Sequence, residues 1–151
     1  MIGFAAETCA AVVEELQPLL ARHQAEVESI RFVLAPDWTM YQALEAAGAL
    51  AIFTARDGAR LAGYAVFFVV KHPHYAGMRL AQNDILFLEQ PYRRGRNALR
   101  FVEYCEAQLQ WRADRIAWSA KHGHDWSRLL VHRGYRADEV IYVRDTPWVQ
   151  V

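Results

Sequence analysis

The sequence predicts a mixed α/β domain with a mostly antiparallel sheet flanked by helices. Apolar residues recur at helical spacing near the start and again after the middle of the chain. Between these helices lie three segments rich in Val, Phe, Ile and Tyr, which are typical of strands. The chain has 151 residues, of which 54% are hydrophobic, enough for one full core. We therefore expect residues 1–151 to form a single domain.

The first predicted helix runs from about Ala6 to Glu26. Glu7 and Thr8 offer a plausible start, and Pro18 inside the pattern predicts a kink or two shorter helices. Its apolar positions are Val12, Val13, Leu16, Leu19 and Leu20.

A second, short helix is predicted from Trp38 to Ala47. It follows the breaker 35–37 (Ala-Pro-Asp) and ends at Gly48. Its apolar stripe consists of Met40, Ala43, Leu44 and Ala47.

Strand signals follow. Segments 49–55 and 61–70 flank Asp57-Gly58, which predicts a hairpin. After a polar loop at 71–77, a third strand is predicted from Leu80 to Leu88. This strand must end before Pro91, which cannot donate a hydrogen bond to a sheet.

The remaining elements alternate. Residues 97–112 carry the clearest helical pattern, with Ala98, Phe101, Val102, Cys105 and Leu109 on one face. Further elements are a strand at 115–120, a helix at 125–132 that Gly134 can cap, and a strand at 139–143. The tail to Val151 is compatible with one more strand.

Composition restricts the function classes. Seventeen basic and seventeen acidic residues balance, which disfavours a nucleic-acid-binding protein, although four arginines cluster between 93 and 100. Cys9 and Cys105 fall among apolar helix positions, where a thiol usually acts as a small hydrophobe. We find neither a signal peptide nor a membrane span and expect a cytoplasmic protein without a membrane partner.

The junction at 86–98 is the sharpest local feature. A buried strand ends there, a turn with three arginines and Gly95 follows, and a long helix begins. Free N–H groups at a helix N-terminus, with arginines beside them, suit a phosphate-bearing ligand. A solvated basic turn explains the same residues about equally well.

The order of elements and this junction resemble the GNAT acetyltransferase superfamily, particularly its small phage-type and bacterial members. The resemblance extends from the first helix to Val143. It implies a GNAT-like splayed sheet, with Phe87 and Leu88 on the strand that pairs with the pantetheine arm of acetyl-CoA. It also implies that the turn wraps the pyrophosphate through Arg93, Arg94, Gly95, Arg96, Asn97 and Ala98.

The sequence departs from the family motif in this turn. With Tyr92 and Arg93 at the motif start, Ala98 takes the final small position and Arg96 replaces the middle glycine. An alternative register places that glycine on Gly95, but the apolar spacing of the helix favours the first.

Segment 129–135 (LLVHRGY) resembles the closing motif of the family, and Gly134-Tyr135 would lead into the next strand. The tyrosine that often protonates the leaving thiolate would lie at position 130, where this chain has Leu130. Either another group or water must then supply that proton.

Two residues are candidate general bases. His124 follows the strand after the long helix, and Asp84 lies on the third strand, where Gln82 occupies the place of a glutamate base in some family members. The pairs His72/His74 and His122/His124 could mimic a metal site, but such pairs in loops are more often surface histidines, so we expect no metal.

The resemblance implies direct transfer of an acetyl group from acetyl-CoA to a primary amine of an unidentified small molecule or protein. The alternative is a GNAT-fold sensor or interaction module that binds acyl-CoA with little catalysis, which Leu130 and the degenerate turn favour. A homodimer is compatible with either. A third interpretation, nucleic-acid binding through the arginine turn, would be revealed by a salt-dependent titration.

Overall fold

The computed structural model describes residues 2–27, 33–121, 123 and 125–144. Its elements in chain order are β1 (Ile2–Ala6), α1 (Cys9–Val27), α2 (Trp38–Ala46), β2 (Leu50–Asp57), β3 (Arg60–Lys71), β4 (Arg79–Leu88), a 3₁₀ turn (Gln90–Tyr92), α3 (Asn97–Leu109), β5 (Arg115–Ala117) and α4 (Ser127–His132). No helix within these ranges is long and apolar enough to cross a membrane.

The five strands form one sheet in sequence order, β1-β2-β3-β4-β5. Strands β1 to β4 pair with one another in antiparallel fashion, whereas β5 runs parallel to β4. The hairpin predicted at Asp57-Gly58 joins β2 to β3, with Gly58 at φ +61°. The predicted fold class, a mixed and mostly antiparallel sheet flanked by helices, is confirmed.

The sheet splays open between its last two strands. β4 pairs with β5 only at Leu80↔Arg115, Ala81↔Ile116 and Gln82↔Ala117. From residue 83 to residue 88, the described part of the chain pairs β4 with β3 alone. One backbone edge of β4 is therefore left without a neighbouring strand over the half that leads into the arginine turn.

Helices cover both faces of the sheet. On one face α3 buries the predicted stripe of Phe101, Val102, Cys105 and Leu109 against Phe67 and its neighbours. On the other face α1 packs Val12, Leu16, Leu19 and Leu20 against Tyr64 and Phe87. Both cysteines are buried free thiols, and burial raises the pKa of each, as expected for structural rather than reactive residues.

Two departures concern the N-terminal half. Strand β1 was not predicted, because Gly3, Ala5 and Ala6 weaken its strand signal and its extended conformation depends on pairing with β2. The alternative of two helices around Pro18 is wrong, because α1 continues through it. Its apolar face contacts the sheet on both sides of Pro18, so tertiary burial outweighs the missing backbone hydrogen bond.

The predicted apolar stripe of α2 is wrong at three of its four positions and correct at Leu44. Met40 is 57% exposed, and Ala43 and Ala47 are exposed, whereas Trp38, Tyr41 and Leu44 pack against the core. Which of the nearby apolar residues of α2 become buried depends on the orientation of the helix against the sheet, and local sequence spacing does not determine that orientation.

The strand predicted at 139–143 does not form. Its side chains from Val140 to Val143 are 65–91% exposed, and no strand partner pairs with it in the described part of the chain. A β-prone segment remains irregular when no sheet edge binds it. The further strand suggested for the tail falls on 145–151, outside the described residues.

Candidate functional site

A β-bulge lies where β4 leaves β5. Val66 pairs with Ile85 and Phe67 pairs with Asn83, so Asp84 is the extra residue between them. Asn83 is 2% exposed, and its side-chain amide donates to the carbonyls of Val66 at 3.3 Å and Ile85 at 2.8 Å. These hydrogen bonds fix the bulge and turn Asp84 out of the regular strand alternation.

A cavity of about 270 Å³ lies where β4 and β5 separate. Its floor is the free half of β4, and its sides come from α1, the arginine turn, α3 and the segment around α4. The lining residues are His23, Glu26, Asn83, Asp84, Ile85, Leu86, Phe87, Leu88, Arg93, Ala98, Phe101, Val102, Ser119, Lys121, Trp126 and Leu129.

Asp84 opens onto this cavity, and burial among the surrounding atoms raises the pKa of its carboxyl group. No hydrogen bond or ion pair joins its carboxylate to the described residues. Burial, followed by the charge of Asp84, raises the pKa of Tyr41 to about 12. Asp84 keeps an exposed side chain, so its carboxylate is only partly desolvated, and Lys121 lines the same cavity. A partly desolvated carboxylate without a hydrogen-bond partner among the described residues suits a proton acceptor.

The α1 side of the cavity carries a histidine that the sequence analysis did not single out. His23 Nδ1 lies 3.0 Å from the hydroxyl of the buried Tyr64, and its ring stacks on Phe87 at 4.9 Å. The apolar periodicity of α1 predicts that the face carrying Leu19 and Leu20 packs on the sheet. No motif identified His23, because only the crossing of α1 over β4 brings it to the cavity.

The start of the arginine turn is fixed by a buried carboxylate. Glu89 is 6% exposed and forms ion pairs with Arg22 and with Arg60, whose Nη2 lies 2.6 Å from Glu89 Oε2. The backbone N–H of Glu89 also donates to the carbonyl of Ala62 at 2.9 Å. The end of β4 is therefore tied to both α1 and β3 before the turn begins.

The turn then leads into an uncapped helix. Gly95 has φ +67°, and the N-cap Arg96 makes no side-chain hydrogen bond to the first turn of α3. Asn97 Nδ2 instead donates to the carbonyl of Tyr92 at 3.1 Å. Arg94 and Arg96 are exposed, and no described residue pairs with their guanidinium groups. Uncapped N–H groups beside two unpaired arginines are suited to an anion.

Arg93 is engaged differently. Its Nε donates to the carbonyl of Leu88 at 2.5 Å, and its Nη1 and Nη2 donate to the two carboxylate oxygens of Glu26 at 2.5 and 2.8 Å. The guanidinium also lies over the ring of Phe87, 5.4 Å from its centroid. The Arg93 side chain thus joins α1 to the end of β4.

The structure brings most of the predicted site residues together. Phe87, Leu88, Arg93 and Ala98 line the same cavity as Asp84, and Arg94, Gly95, Arg96 and Asn97 form the adjoining turn. His124, like His122, lies outside the described residues.

In α4, Leu129 lines the cavity. Leu130 lies on the buried face of the same helix and is 8% exposed. Gly134, at φ +87°, ends α4 as predicted. Neither leucine can donate a proton.

The chain was compared with known proteins. No family model matches it, and no curated protein matches it. Among solved structures, a ribosomal-protein-alanine N-acetyltransferase from Brucella melitensis biovar Abortus 2308 has TM-score 0.72 at 20% identity, covering 97% of this chain and 99% of that one. An aminoglycoside acetyltransferase from an uncultured soil metagenomic sample, in complex with sisomicin, has TM-score 0.72 at 14% identity, covering 99% and 97%.

A third similar structure is that of a predicted acetyltransferase with acetyl-CoA from Clostridium acetobutylicum. It has TM-score 0.69 at 11% identity and covers 95% of this chain and 96% of that one. The chain therefore has the fold of the GNAT acetyltransferases, and the predicted resemblance is confirmed at the level of the fold.

Proposed function

We propose that this protein transfers an acetyl group from acetyl-CoA to a primary amine. The observation that carries the proposal is the continuous site formed by the free half of β4, the cavity beside it and the uncapped start of α3. The similar solved structures support the reaction class, because they are acetyltransferases. We propose further that residues 1–151 act as one domain.

The residues present fit the proposed cosubstrate. The edge of β4 near Phe87 and Leu88 would pair with the amides of the pantetheine arm, and the cavity is lined mainly by apolar side chains. Arg94, Gly95, Arg96, Asn97 and Ala98 would hold the pyrophosphate through backbone N–H groups and guanidinium charges. When bound, acetyl-CoA would supply the thioester whose carbonyl the amine attacks.

Within this site we assign the base role to Asp84. An amine substrate arrives as an ammonium ion and must lose a proton before it can attack. The Asp84 carboxylate faces the cavity, has no partner among the described residues, and has a pKa raised by burial, so its basicity exceeds that of an ordinary aspartate. His124 stays a predicted second candidate. A backbone N–H near Leu88 would stabilise the oxyanion.

No tyrosine is expected to protonate the leaving thiolate. Leu129 lines the described cavity and Leu130 is buried, so neither position of α4 offers an acid. A free thiol has a pKa near ~8.5, which makes thiolate an acceptable leaving group without assistance. The lack of a proton donor at these two positions of α4 also favours the second candidate function, a sensor that binds acyl-CoA with little turnover.

The acceptor class stays open between small molecules and proteins. The similar structures include an enzyme named for ribosomal-protein alanine and another named for aminoglycosides. Both acceptor types are amines, and the raised pKa of the Asp84 carboxyl group suits either. We propose a cytoplasmic protein that acts on such an amine.

A thermal-shift titration tests cosubstrate binding. A ligand that binds only the folded state adds about 2.7 kcal/mol at hundredfold excess over Kd, which is roughly 5 to 11 °C for a chain of this size. We expect such a rise with CoA and acetyl-CoA, and little with acetate. No shift at millimolar CoA would refute the proposal.

A further inference from the structure

Among the described residues, Arg94 and Arg96 have no side-chain partner whereas Arg93 has several, and this difference divides their roles. Each nitrogen of the Arg93 side chain already donates one hydrogen bond, Nε to the carbonyl of Leu88 and the two Nη atoms to Glu26. The guanidinium lies over the ring of Phe87. To bind a phosphate through two parallel N–H groups, Arg93 would have to give up its contact with Glu26 or with Leu88, whereas Arg94 and Arg96 would give up none with the described residues.

We propose that Arg93 is a positioning residue rather than a phosphate ligand: through Glu26 it holds the end of α1 against the end of β4 and so builds the acceptor-side wall of the cavity. The proposal rests on the proposed function, because it assigns one side of the cavity to the acceptor. Arg94, Arg96 and the start of α3 then hold the pyrophosphate on the other side.

The position of Arg93 in the fold supports this division. Phe87, which Arg93 covers, belongs to the apolar cluster on the α1 face of the sheet, whereas α3 packs on the opposite face. His23 stacks on the same Phe87, and both Glu26 and His23 line the cavity. Arg93 therefore points away from the uncapped helix start and toward the wall formed by α1.

The pair itself should contribute little to folding. The side chains of Arg93 and Glu26 are 37% and 34% exposed, and ion pairs at such exposure are screened by solvent. We therefore expect the Arg93–Glu26 pair to affect the shape of the cavity. A measurement of acceptor KM should detect its loss better than a melting curve.

The decisive experiment measures CoA affinity by calorimetry for Glu26→Gln, Arg93→Ala and Arg96→Ala, with Glu14→Gln as control. Glu14 lies exposed on the same helix and has no described partner. We expect Arg96→Ala to weaken CoA binding about tenfold or more, as loss of a charge-assisted phosphate contact does. Glu26→Gln and Arg93→Ala should change it less than about threefold.

The opposite assignment gives the opposite result. If Arg93 must leave Glu26 to reach a phosphate, Glu26→Gln removes the competitor and tightens CoA binding, and Arg93→Ala weakens it as much as Arg96→Ala does. Either outcome overturns the proposal.

Steady-state kinetics provide the second readout. With a hexapeptide that begins with alanine and with sisomicin as acceptor probes, Glu26→Gln should raise the acceptor KM about fivefold and change kcat less. Arg93→Lys keeps the charge but lacks the planar guanidinium that binds both carboxylate oxygens. Its acceptor KM should therefore lie between that of wild type and that of Glu26→Gln. An unchanged acceptor KM in both variants would refute the positioning role. If wild type acetylates neither probe, the proposed activity has failed for them, and the CoA titration still decides the role of Arg93.

Discussion

At the scale of single residues, Asp84 combines a stability cost with a proposed chemical role. Its pKa is raised in the folded protein by burial, so between the ordinary and the raised pKa the native state binds more protons than the unfolded state. Stability therefore falls as pH rises through that window, and at neutral pH the folded protein carries the cost of a partly desolvated carboxylate, which solvent keeps small because the Asp84 side chain is exposed. Such a cost is tolerated where function needs the group.

Asp84→Asn should therefore raise Tm at neutral pH and lower activity. The gain in Tm should vanish below the ordinary aspartate pKa, where the wild-type carboxyl is already neutral in both states. Turnover should fall about 10²-fold in kcat/KM with CoA affinity nearly unchanged, because the base acts on the amine. Melting curves against pH, with thiol release as the activity measurement, check both parts.

His124→Ala is the comparison that distinguishes the two predicted bases, with His122→Ala, two positions earlier in the sequence, as its matched control. If Asp84 is the base, both histidine variants should keep kcat/KM within about threefold of wild type. A 10²-fold loss in His124→Ala alone, with Asp84→Asn active, would transfer the base role to that histidine.

At the scale of elements, the close approach of β3 and β4 depends on Gly63. A Cβ atom there would lie 2.7 Å from the carbonyl oxygen of Phe87 and 3.1 Å from the Cα of Leu88. Both are backbone atoms, so rotamer changes cannot relieve the clash. The glycine lets the end of β4 lie where the turn and the cavity require it.

Gly63→Ala should therefore cost about 1–3 kcal/mol, or roughly 2–4 °C in Tm per kcal/mol, and should also weaken CoA binding by displacing Leu88. Gly3→Ala is the control, because its Cβ would meet no atom within 4 Å. Thermal melts and CoA titration of both variants test this. Equal Tm values for the two variants would show that β3 and β4 separate more easily than the structure implies.

The turn before α3 depends on the left-handed conformation of Gly95. Gly95→Val should lose stability, because a β-branched residue at φ +67° is strained by about 1–2 kcal/mol or more, and CoA affinity should also fall because the turn is distorted. Gly77→Val, at φ +88° in the β3–β4 loop, should lose similar stability and bind CoA normally. Comparable CoA affinity in both variants would exclude the turn as the phosphate site.

Element patterns in the sequence predicted most of the fold and only part of the site. The stripe of α3, the Asp57-Gly58 hairpin and the strand end before Pro91 depend on local chemistry, and they were predicted correctly. The bulge at Asp84 and the approach of His23 depend on strand register and helix crossing, which no local pattern contains. The partners of Arg93 were missed for the same reason, because Glu26 is 67 residues away in sequence.

At the scale of the whole molecule, the site joins elements that are distant in the chain. α1, β4, the arginine turn and the segment around α4 all contribute to one cavity. Such a site can serve either of the two functions proposed above, a catalyst or a binding module, since each would hold acyl-CoA. The fold alone does not separate them, because one fold hosts many functions. In our proposal the difference lies in the groups that would face the acyl carbonyl and the amine, and the base role proposed for Asp84 favours catalysis.

We therefore expect wild-type protein to release thiol from acetyl-CoA only when an amine is added, at about 1 s⁻¹ or faster with a good acceptor. A panel of amines, peptides and aminoglycosides tests this, with amine-free reactions as the blank and Asp84→Asn as the variant that should bind CoA but turn over about 10²-fold more slowly. Turnover should rise with pH as the base and the amine lose protons. A protein that gains stability with acetyl-CoA yet releases no thiol above the blank with any acceptor would instead be the acyl-CoA sensor, and Asp84 would then have no role as a base.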